Sequence, residues 1–305
     1  MIVRDRPSLF KLFFTLRGSI LPNILPQLLL VAVLSALVVW GHHTYPGIVP
    51  SFSGAPVAIM GVTISLFLGF RNNACYDRWW EGRKLWGQML ISARSLSRQT
   101  LVLDMRGQGE ARRRILSLVI AFGFAMVRHL RPQAASNAGL ERLTPADVED
   151  LNNSRNPPDL LLRKVALEVA ILRQQDIVTD VEMVMLDHNL AELALVQGAC
   201  ERIRNTPVPF AYSLLLHRTA HIFCFILPFG FDDVLGWFMP LASAIMAYTL
   251  FGLDALGDEL EEPFGILPNS LPIDAIARTV EINMLEALGE HDLPPKPEPI
   301  DYVLM

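Results

Sequence analysis

Charged residues are absent from one long stretch near the start of the chain. From Gly18 to Phe70, about 53 residues contain no Asp, Glu, Lys or Arg. A helix of a soluble protein needs a polar face, whereas a membrane helix needs roughly 20 apolar residues to cross about 30 Å of hydrocarbon. Residues 41–47 are rich in Gly, His and Pro. The pattern therefore predicts two membrane helices joined by a loop.

Two more apolar stretches lie in the second half of the chain. The first covers residues 206–231, and the second, residues 234–253, has no Asp, Glu, Lys or Arg. Only Asp232 and Asp233 lie between them, which predicts a tight loop. The polar interruptions of the first stretch are His217, Arg218 and His221. Four transmembrane helices are predicted in total.

Basic residues predict the orientation of these helices. The N-terminal segment carries Arg4, Arg6, Lys11 and Arg17, whereas the loop at 42–54 has no Lys or Arg. Because positive charge favours the cytoplasmic side, both termini are expected in the cytoplasm. The first apolar stretch is too long for a secretory signal peptide and is followed at once by a second.

The middle third of the chain is too polar to span a membrane and predicts a helical cytosolic domain. Residues 115–127 are almost continuously apolar but too short to span, and they indicate a buried helix. Thr144-Pro145, Asn156-Pro157 and Thr179-Asp180 are typical helix starts. The expected fold is all-α, with segments 1–19 (cytosolic), 20–80 (two membrane helices), 81–205 (cytosolic domain), 206–253 (two membrane helices) and 254–305 (cytosolic).

Composition excludes some classes of function. The net charge is −5, and no basic patch interleaved with aromatic residues points to nucleic acid. The three cysteines, Cys75, Cys200 and Cys224, have no paired spacing, so they are interpreted as reduced, buried small residues.

The second predicted membrane helix carries a spaced apolar motif. Val62, Leu66 and Phe70 recur at intervals of four and share one helix face. Because every face of a membrane helix is apolar, the spacing alone favours packing against a neighbouring helix over a functional role. Gly61 and Gly69 are expected to allow close helix approach.

Three blocks of sequence resemble the bestrophin family of ion channels. They are residues 64–81 (ISLFLGFRNNACYDRWWE), residues 206–212 (TPVPFAY) and residues 262–265 (EPFG), in family order. The resemblance extends from the first membrane helix to about Leu288. It implies a homopentamer around one central pore, with four membrane helices per protomer and a helical cytosolic domain.

The resemblance also assigns individual residues. The pore neck falls on Val62, Leu66 and Phe70, and a lower aperture near the cytosolic exit falls on Val181. Calcium-gated animal members carry an acidic run after Pro-Phe-Gly, where this chain reads Ile-Leu-Pro-Asn-Ser at 266–270. Calcium needs several oxygen ligands, so calcium gating is not expected. The acids Glu259, Glu261 and Glu262 are interpreted as a solvated or subunit-interface face.

His217 and His221 have the spacing of two metal ligands on one helix. Two histidines without a carboxylate are too few for a metal site, so a hydrogen-bonded pair inside the helix bundle is the preferred interpretation. Arg218 is a charge within a membrane segment, which marks either function or an ion pair between subunits. Together the three residues form a possible intramembrane polar site. A membrane-embedded metalloenzyme using both histidines is the alternative function.

The expected function is passive conduction of small monovalent ions, not enzymatic catalysis, with no cofactor or metal. Rings of apolar side chains close a pore by excluding water, so the neck is expected to act as a hydrophobic gate. Selectivity stays open between anions and cations, although carboxylates of Asp232 and Asp233 facing an outer mouth would favour cations. The expected partners are other copies of the chain, the permeant ions and the bilayer.

Overall fold

The computed structural model describes residues 1–4, 8, 10, 14–16, 18–134 and 138–305. Among these residues it is helical, and β-structure is confined to isolated bridges near the two termini. The orientation prediction rests partly on Arg6, Lys11 and Arg17, which lie outside the described residues. The helices are α1 (Leu21–Thr44), α2 (Gly54–Gln99), α3 (Leu101–Met105), α4 (Gly109–Leu130), α5 (Pro145–Asn153), α6 (Pro157–Gln174), α7 (Asp180–Asn205), α8 (Phe210–Leu235), α9 (Met239–Glu261) and α10 (Ile273–Ala287).

Two compact units share the chain. The first contains residues 4–79 and 207–262, and the second contains 1–3, 80–206 and 263–305. The long helix α2 contributes residues to both. We call them the apolar unit and the polar unit.

In the apolar unit, α9 packs against α1 and α8, and α1 also contacts α8. The buried core of this unit consists almost entirely of aliphatic and aromatic side chains from α1, α2, α8 and α9. Many other apolar side chains on these helices are exposed, including Leu29, Leu37 and Ile245. Exposed apolar surface on this scale fits a lipid environment or contact with other chains.

The polar unit is built around α4. This helix is buried from Ile115 to Val127 except for Ser117, as its apolar sequence predicts, and packs against α6 and α10. The predicted helix starts are also confirmed: Thr144 and Thr179 each form a capping box, and the Asn156 side chain accepts a hydrogen bond from the Asp159 backbone N–H. The prediction of a helical middle third is therefore confirmed in the described residues.

Three stretches are long and apolar enough to cross a membrane: 21–44, 54–105 and 210–261. The third contains both α8 and α9, which the short 3₁₀ turn Gly236–Phe238 joins. Helix α9 continues past Leu253, the predicted end of the last span, to Glu261. It does so because the acids Asp254, Asp258 and Glu261 find a buried partner, described below.

Candidate functional site

Helix α2 has one buried stripe along its first half. Its members recur every three or four residues, and they are Val57, Gly61, Ile64, Leu68, Arg71 and Cys75. This is the period of one face of an α-helix. The stripe fixes which side of α2 turns toward the rest of the apolar unit.

The predicted neck residues lie on the other side of α2. At 100° per residue, Val62, Leu66 and Phe70 lie about 140–220° around the helix axis from the centre of the buried stripe. They are 72%, 55% and 55% exposed, respectively. Within one protomer, therefore, Leu66 is not a core residue. Sequence reasoning missed Ile59, which is 69% exposed and extends the same face by one turn; its spacing of three from Val62 was the available signal.

The two glycines of this helix differ. A Cβ on Gly61 would lie 2.8 Å from the ring of Phe223, so the predicted close approach of α2 and α8 occurs there. No atom lies within 4 Å of a Cβ on Gly69, so the prediction of close approach at Gly69 is wrong within the protomer.

Apolar grooves flank α2 on both sides. A groove of about 360 Å³ is lined by Thr63, Phe67 and Tyr212 among others. A second, of about 490 Å³, is lined by Ala58, Val62 and residues of α8 and α9. The exposed face of α2 is thus bordered by two different apolar surfaces.

Arg71, one residue after the neck, is 1% exposed and binds three carboxylates of α9. Its Nη1 donates to Asp254 Oδ1 at 2.8 Å, and Nη2 donates to Asp258 and, at 3.2 Å, to Glu261. Gly257 is packed against this group, since a Cβ there would lie 2.6 Å from Asn72 Oδ1. A buried guanidinium with several carboxylate partners is the arrangement that makes a buried charge tolerable.

This cluster contradicts the solvated-face interpretation for two of the acids before the Pro-Phe-Gly motif, whereas Glu262 is exposed. Glu261 is bound to Arg71, and Glu259 is 6% exposed, so neither belongs to a solvated face. Sequence reasoning missed the cluster because Arg71 and its partners are more than 180 residues apart along the chain.

The histidines of α8 connect to the same cluster. His217 Nδ1 lies 2.7 Å from Asp254 Oδ2, and His221 Nδ1 lies 2.8 Å from the His217 carbonyl oxygen. Both histidines are hydrogen-bonded, as predicted, but His217 is 55% exposed, so the predicted position of the pair inside the bundle is wrong within the protomer. Arg218 is exposed on the side of α8 away from its buried residues. The structure thus brings His217 to Asp254 and His221 to the His217 backbone, whereas Arg218 has no part in these hydrogen bonds.

In the polar unit, Val181 is 71% exposed in the first turn of α7. The neighbouring Glu182 accepts two hydrogen bonds from Arg106, at 2.8 and 2.9 Å. These bonds hold the pKa of Glu182 at about 2. Ionised Glu182 thus fixes the start of α7. The apolar side chain of Val181 beside it stays uncovered within the polar unit.

The Pro-Phe-Gly segment is fixed by a buried arginine of the polar unit. Arg131 is 1% exposed, and it donates to the carbonyl oxygens of Phe264 and Leu271 and to the carboxylate of Asp274. Burial lowers the pKa of Arg131. After this segment, Ile266 and Leu267 are exposed and offer no side-chain oxygen.

The prediction of a loop at Asp232 and Asp233 is wrong, because both lie in the last turns of α8 and the turn to α9 falls at Gly236–Phe238. Asp232 is not free to face a pore mouth. Its Oδ2 lies 2.6 Å from His42 Nδ1, and its side chain is 10% exposed. Asp233 is exposed. Of the two carboxylates predicted to favour cations at an outer mouth, only that of Asp233 is therefore available.

The three cysteines match the sequence interpretation. All three cysteines are buried and free, and burial raises the pKa of the Cys200 thiol to about 12. In the part of the chain that the structure describes, no group of three or more His, Cys, Asp or Glu side chains could hold a metal ion.

The apolar unit consists of long apolar helices, and one of them, α2, also contributes residues to the polar unit. This architecture defines a helical membrane protein. The whole-chain comparisons agree: residues 1–286 match the family model "Bacterial/Fungal Bestrophin protein". The chain belongs to this bestrophin family.

Relatives of known name and structure extend along nearly the whole chain. The voltage-dependent anion channel-forming protein mll4386 of Mesorhizobium japonicum is 42% identical over 303 residues, covering 99% of this chain and 96% of that protein. YneE of Escherichia coli, which has the same description, is 37% identical over 296 residues, covering 97% of each. The crystal structure of a bacterial bestrophin homologue from Klebsiella pneumoniae aligns with a TM-score of 0.84 at 36% identity, covering 88% of this chain and 99% of that chain.

Proposed function

We propose that five copies of this chain form a bestrophin-type channel that passively conducts small monovalent ions through one central pore. The observation that carries the proposal is the exposed apolar face of α2, formed by Val62, Leu66 and Phe70. The names of the relatives, which describe channel-forming proteins, support the same class.

Each protomer crosses the bacterial inner membrane four times, with α1, the first part of α2, α8 and α9, and keeps both termini in the cytoplasm. The 24 residues of α1 and 26 of α8 each exceed the roughly 20 needed for a span. Labelling of a cysteine introduced in the loop at 46–53 tests this topology. We expect reaction from the periplasmic side, and reaction only from the cytoplasm contradicts it.

The apolar grooves beside α2 support a ring. A head-to-tail ring needs two different contact surfaces on each protomer, and α2 has a different groove on each side. Neighbouring copies that fill these grooves leave the Leu66 face turned toward the ring axis. The mass of the protein in detergent tests the assembly, and a monomer as the only species contradicts it.

Gating follows from the chemistry of the neck. Three successive rings of Val62, Leu66 and Phe70 offer no polar group to replace the hydration of an ion. The narrow state is therefore dry and closed, and widening or wetting of the rings opens it. Val181, apolar and exposed at the anchored start of α7, forms a second constriction on the cytosolic side.

Calcium does not gate this channel in our proposal, because the side chains of Ile266 and Leu267 lack the oxygen atoms that carboxylates would offer to a hard cation. Currents that rise steeply with micromolar calcium on the cytosolic side would show that other residues bind it. The neck side chains carry no charge, so the sign of the permeant ion is set outside the neck. The relatives' names point to anions, whereas the prokaryotic branch of the bestrophin family includes cation conductors.

Purified protein in planar bilayers under a salt gradient tests the channel and its ion sign together. We expect stepwise currents, and the reversal potential reports whether anions or cations carry them. Absence of current from intact oligomers in repeated reconstitutions contradicts the proposal. No observation favours the alternative metalloenzyme, because Asp254 already holds His217 through a hydrogen bond and no third candidate ligand joins the pair among the described residues.

A further inference from the structure

The exposed face of α2 continues beyond Phe70 and changes there from apolar to polar. Helix α2 runs without a break from Gly54 to Gln99. At 100° per residue, Asn73 and Asp77 lie within about 20° of Leu66 around its axis, and both are exposed. At 1.5 Å per residue, Asp77 lies about 10 Å beyond Phe70 along the helix. The face that carries the proposed neck therefore carries a carboxylate shortly after it.

The carboxylate of Asp77 has no partner within the described part of the protomer. No hydrogen bond or ion pair to another described residue holds it. The nearby arginines of α2 are engaged elsewhere: Arg71 binds the acids of α9, and Arg78 Nε donates to the Glu261 carbonyl oxygen at 3.2 Å. An exposed carboxylate is a fixed negative charge at neutral pH, so the protomer presents one uncompensated charge on this face.

We infer that Asp77, as a ring of five carboxylates just beyond the neck, shifts the permeability of the pore toward cations. This inference rests on the proposed function, because the ring forms only if five copies turn the Leu66 face toward one axis. The neck side chains carry no charge, so the first charged side chains beyond them act most strongly on an ion that enters or leaves. Fixed negative charges at a narrow mouth raise the local concentration of cations and lower that of anions.

One basic residue on the same face opposes this effect. Lys84 is exposed but lies about 20 Å from Phe70 along α2, whereas Asp77 lies about 10 Å from it. Because the Debye length is about 8 Å at physiological ionic strength, the charge of Lys84 is screened more strongly at the neck. Glu81, the other acid of this stretch, is paired with Arg202. The carboxylate of Asp77 therefore dominates the field at this end of the neck.

The decisive measurement is the reversal potential of purified channels in planar bilayers under a KCl gradient. We expect Asp77→Asn to lower the K⁺/Cl⁻ permeability ratio several-fold, because it removes five charges at almost constant side-chain volume. Asp77→Glu keeps the charge and should keep the wild-type ratio. Lys84→Gln should raise the ratio by a smaller factor. Glu149→Gln removes an exposed acid of α5 and should leave the ratio unchanged.

Salt dependence separates an electrostatic effect from a structural one. The shift caused by Asp77→Asn should shrink at high ionic strength, because salt screens the wild-type ring, whereas a change in packing would persist. Size-exclusion chromatography checks that each variant is an intact oligomer.

The inference is overturned if Asp77→Asn conducts with the wild-type permeability ratio, or if Glu149→Gln shifts the ratio equally. It is also overturned if Asp77→Asn dissociates the oligomer while surviving channels keep the wild-type ratio, since Asp77 would then belong to a subunit contact. Wild-type oligomers without any current contradict the proposed channel itself. The failure of this inference and the failure of the proposed function are therefore distinguishable.

Discussion

Leu66 and Leu68 provide a matched pair for testing the proposed neck. The two leucines are two residues apart on α2 and face opposite ways: Leu66 is 55% exposed, and Leu68 is completely buried. Truncation of either to alanine removes the same atoms from the same helix. We expect Leu66→Ala to change conduction and Leu68→Ala to change stability.

The magnitudes follow from burial. A Leu→Ala change in a packed core costs about 2–5 kcal/mol, including the cavity that it leaves, and Leu68 should fall in this range. Leu66 is about half exposed in the protomer, so its truncation should cost roughly half as much or less, about 1–2 kcal/mol. In the assembled ring, five alanines at position 66 widen the middle of the neck and make wetting easier.

Single-channel recording and heat-induced dissociation of the oligomer measure the two effects on the same preparations. Leu66→Ala should give larger currents or a higher open fraction, with the reversal potential unchanged because no charge is added. Leu68→Ala should lower the dissociation temperature while any surviving channels keep the wild-type current. The neck assignment fails if Leu66→Ala leaves the current unchanged and dissociates the oligomer, or if Leu68→Ala raises the current equally.

Three further changes test the packing and charge of the two units. Gly61→Val should destabilise the protein by about 1–3 kcal/mol through overpacking, because its Cβ would lie 2.8 Å from the ring of Phe223; an unchanged melting temperature would contradict this contact. Arg71→Met removes the cation that pairs with the carboxylates of Asp254 and Glu261, at a cost of about 3–5 kcal/mol. The intact oligomer should therefore be lost on size-exclusion chromatography. A variant with wild-type yield and melting temperature would refute the role of the cluster. The Arg114 guanidinium holds the pKa of the Asp147 carboxyl well below its usual range. This carboxylate therefore stabilises the fold above about pH 4, and the stabilisation is lost as the pH falls further. Asp147→Asn should therefore melt lower than wild type at neutral pH, and the difference should shrink in acid; a difference that does not vary with pH would show that the ion pair is not its source.

Local sequence patterns predicted much of the architecture because their causes are local. A Thr side chain that caps a helix contacts the backbone three residues away, so Thr144 and Thr179 could be recognised from the sequence alone. The buried helix α4 was equally predictable, because its apolar run has no room for a solvated face. The same holds for α2, whose helical period continues through the change from apolar to charged residues.

The buried charges could not be predicted in this way. Arg71 and Asp254 are 183 residues apart in the chain, and no local pattern distinguishes their contact from two solvated charges. Asp232 shows the opposite error: the sequence predicted an exposed position in a short acidic loop, whereas Asp232 lies in α8 and its partner is His42 in α1. Pairing over such distances depends on how α2 meets α9 and how α8 meets α1, which a single sequence does not specify.

The pairing of Arg71 also bears on the neck. Phe70 and Arg71 are adjacent, so they point about 100° apart around α2: one is exposed, and the other is buried against the acids of α9. Rotation of α2 by one residue would carry the guanidinium out of its carboxylates and drive Gly61 away from Phe223. Because both displacements are costly, the Arg71 cluster and the Gly61 contact fix the rotation of the helix. The Arg71 cluster and the Gly61–Phe223 contact, both on the buried side of α2, thus keep the Leu66 face exposed.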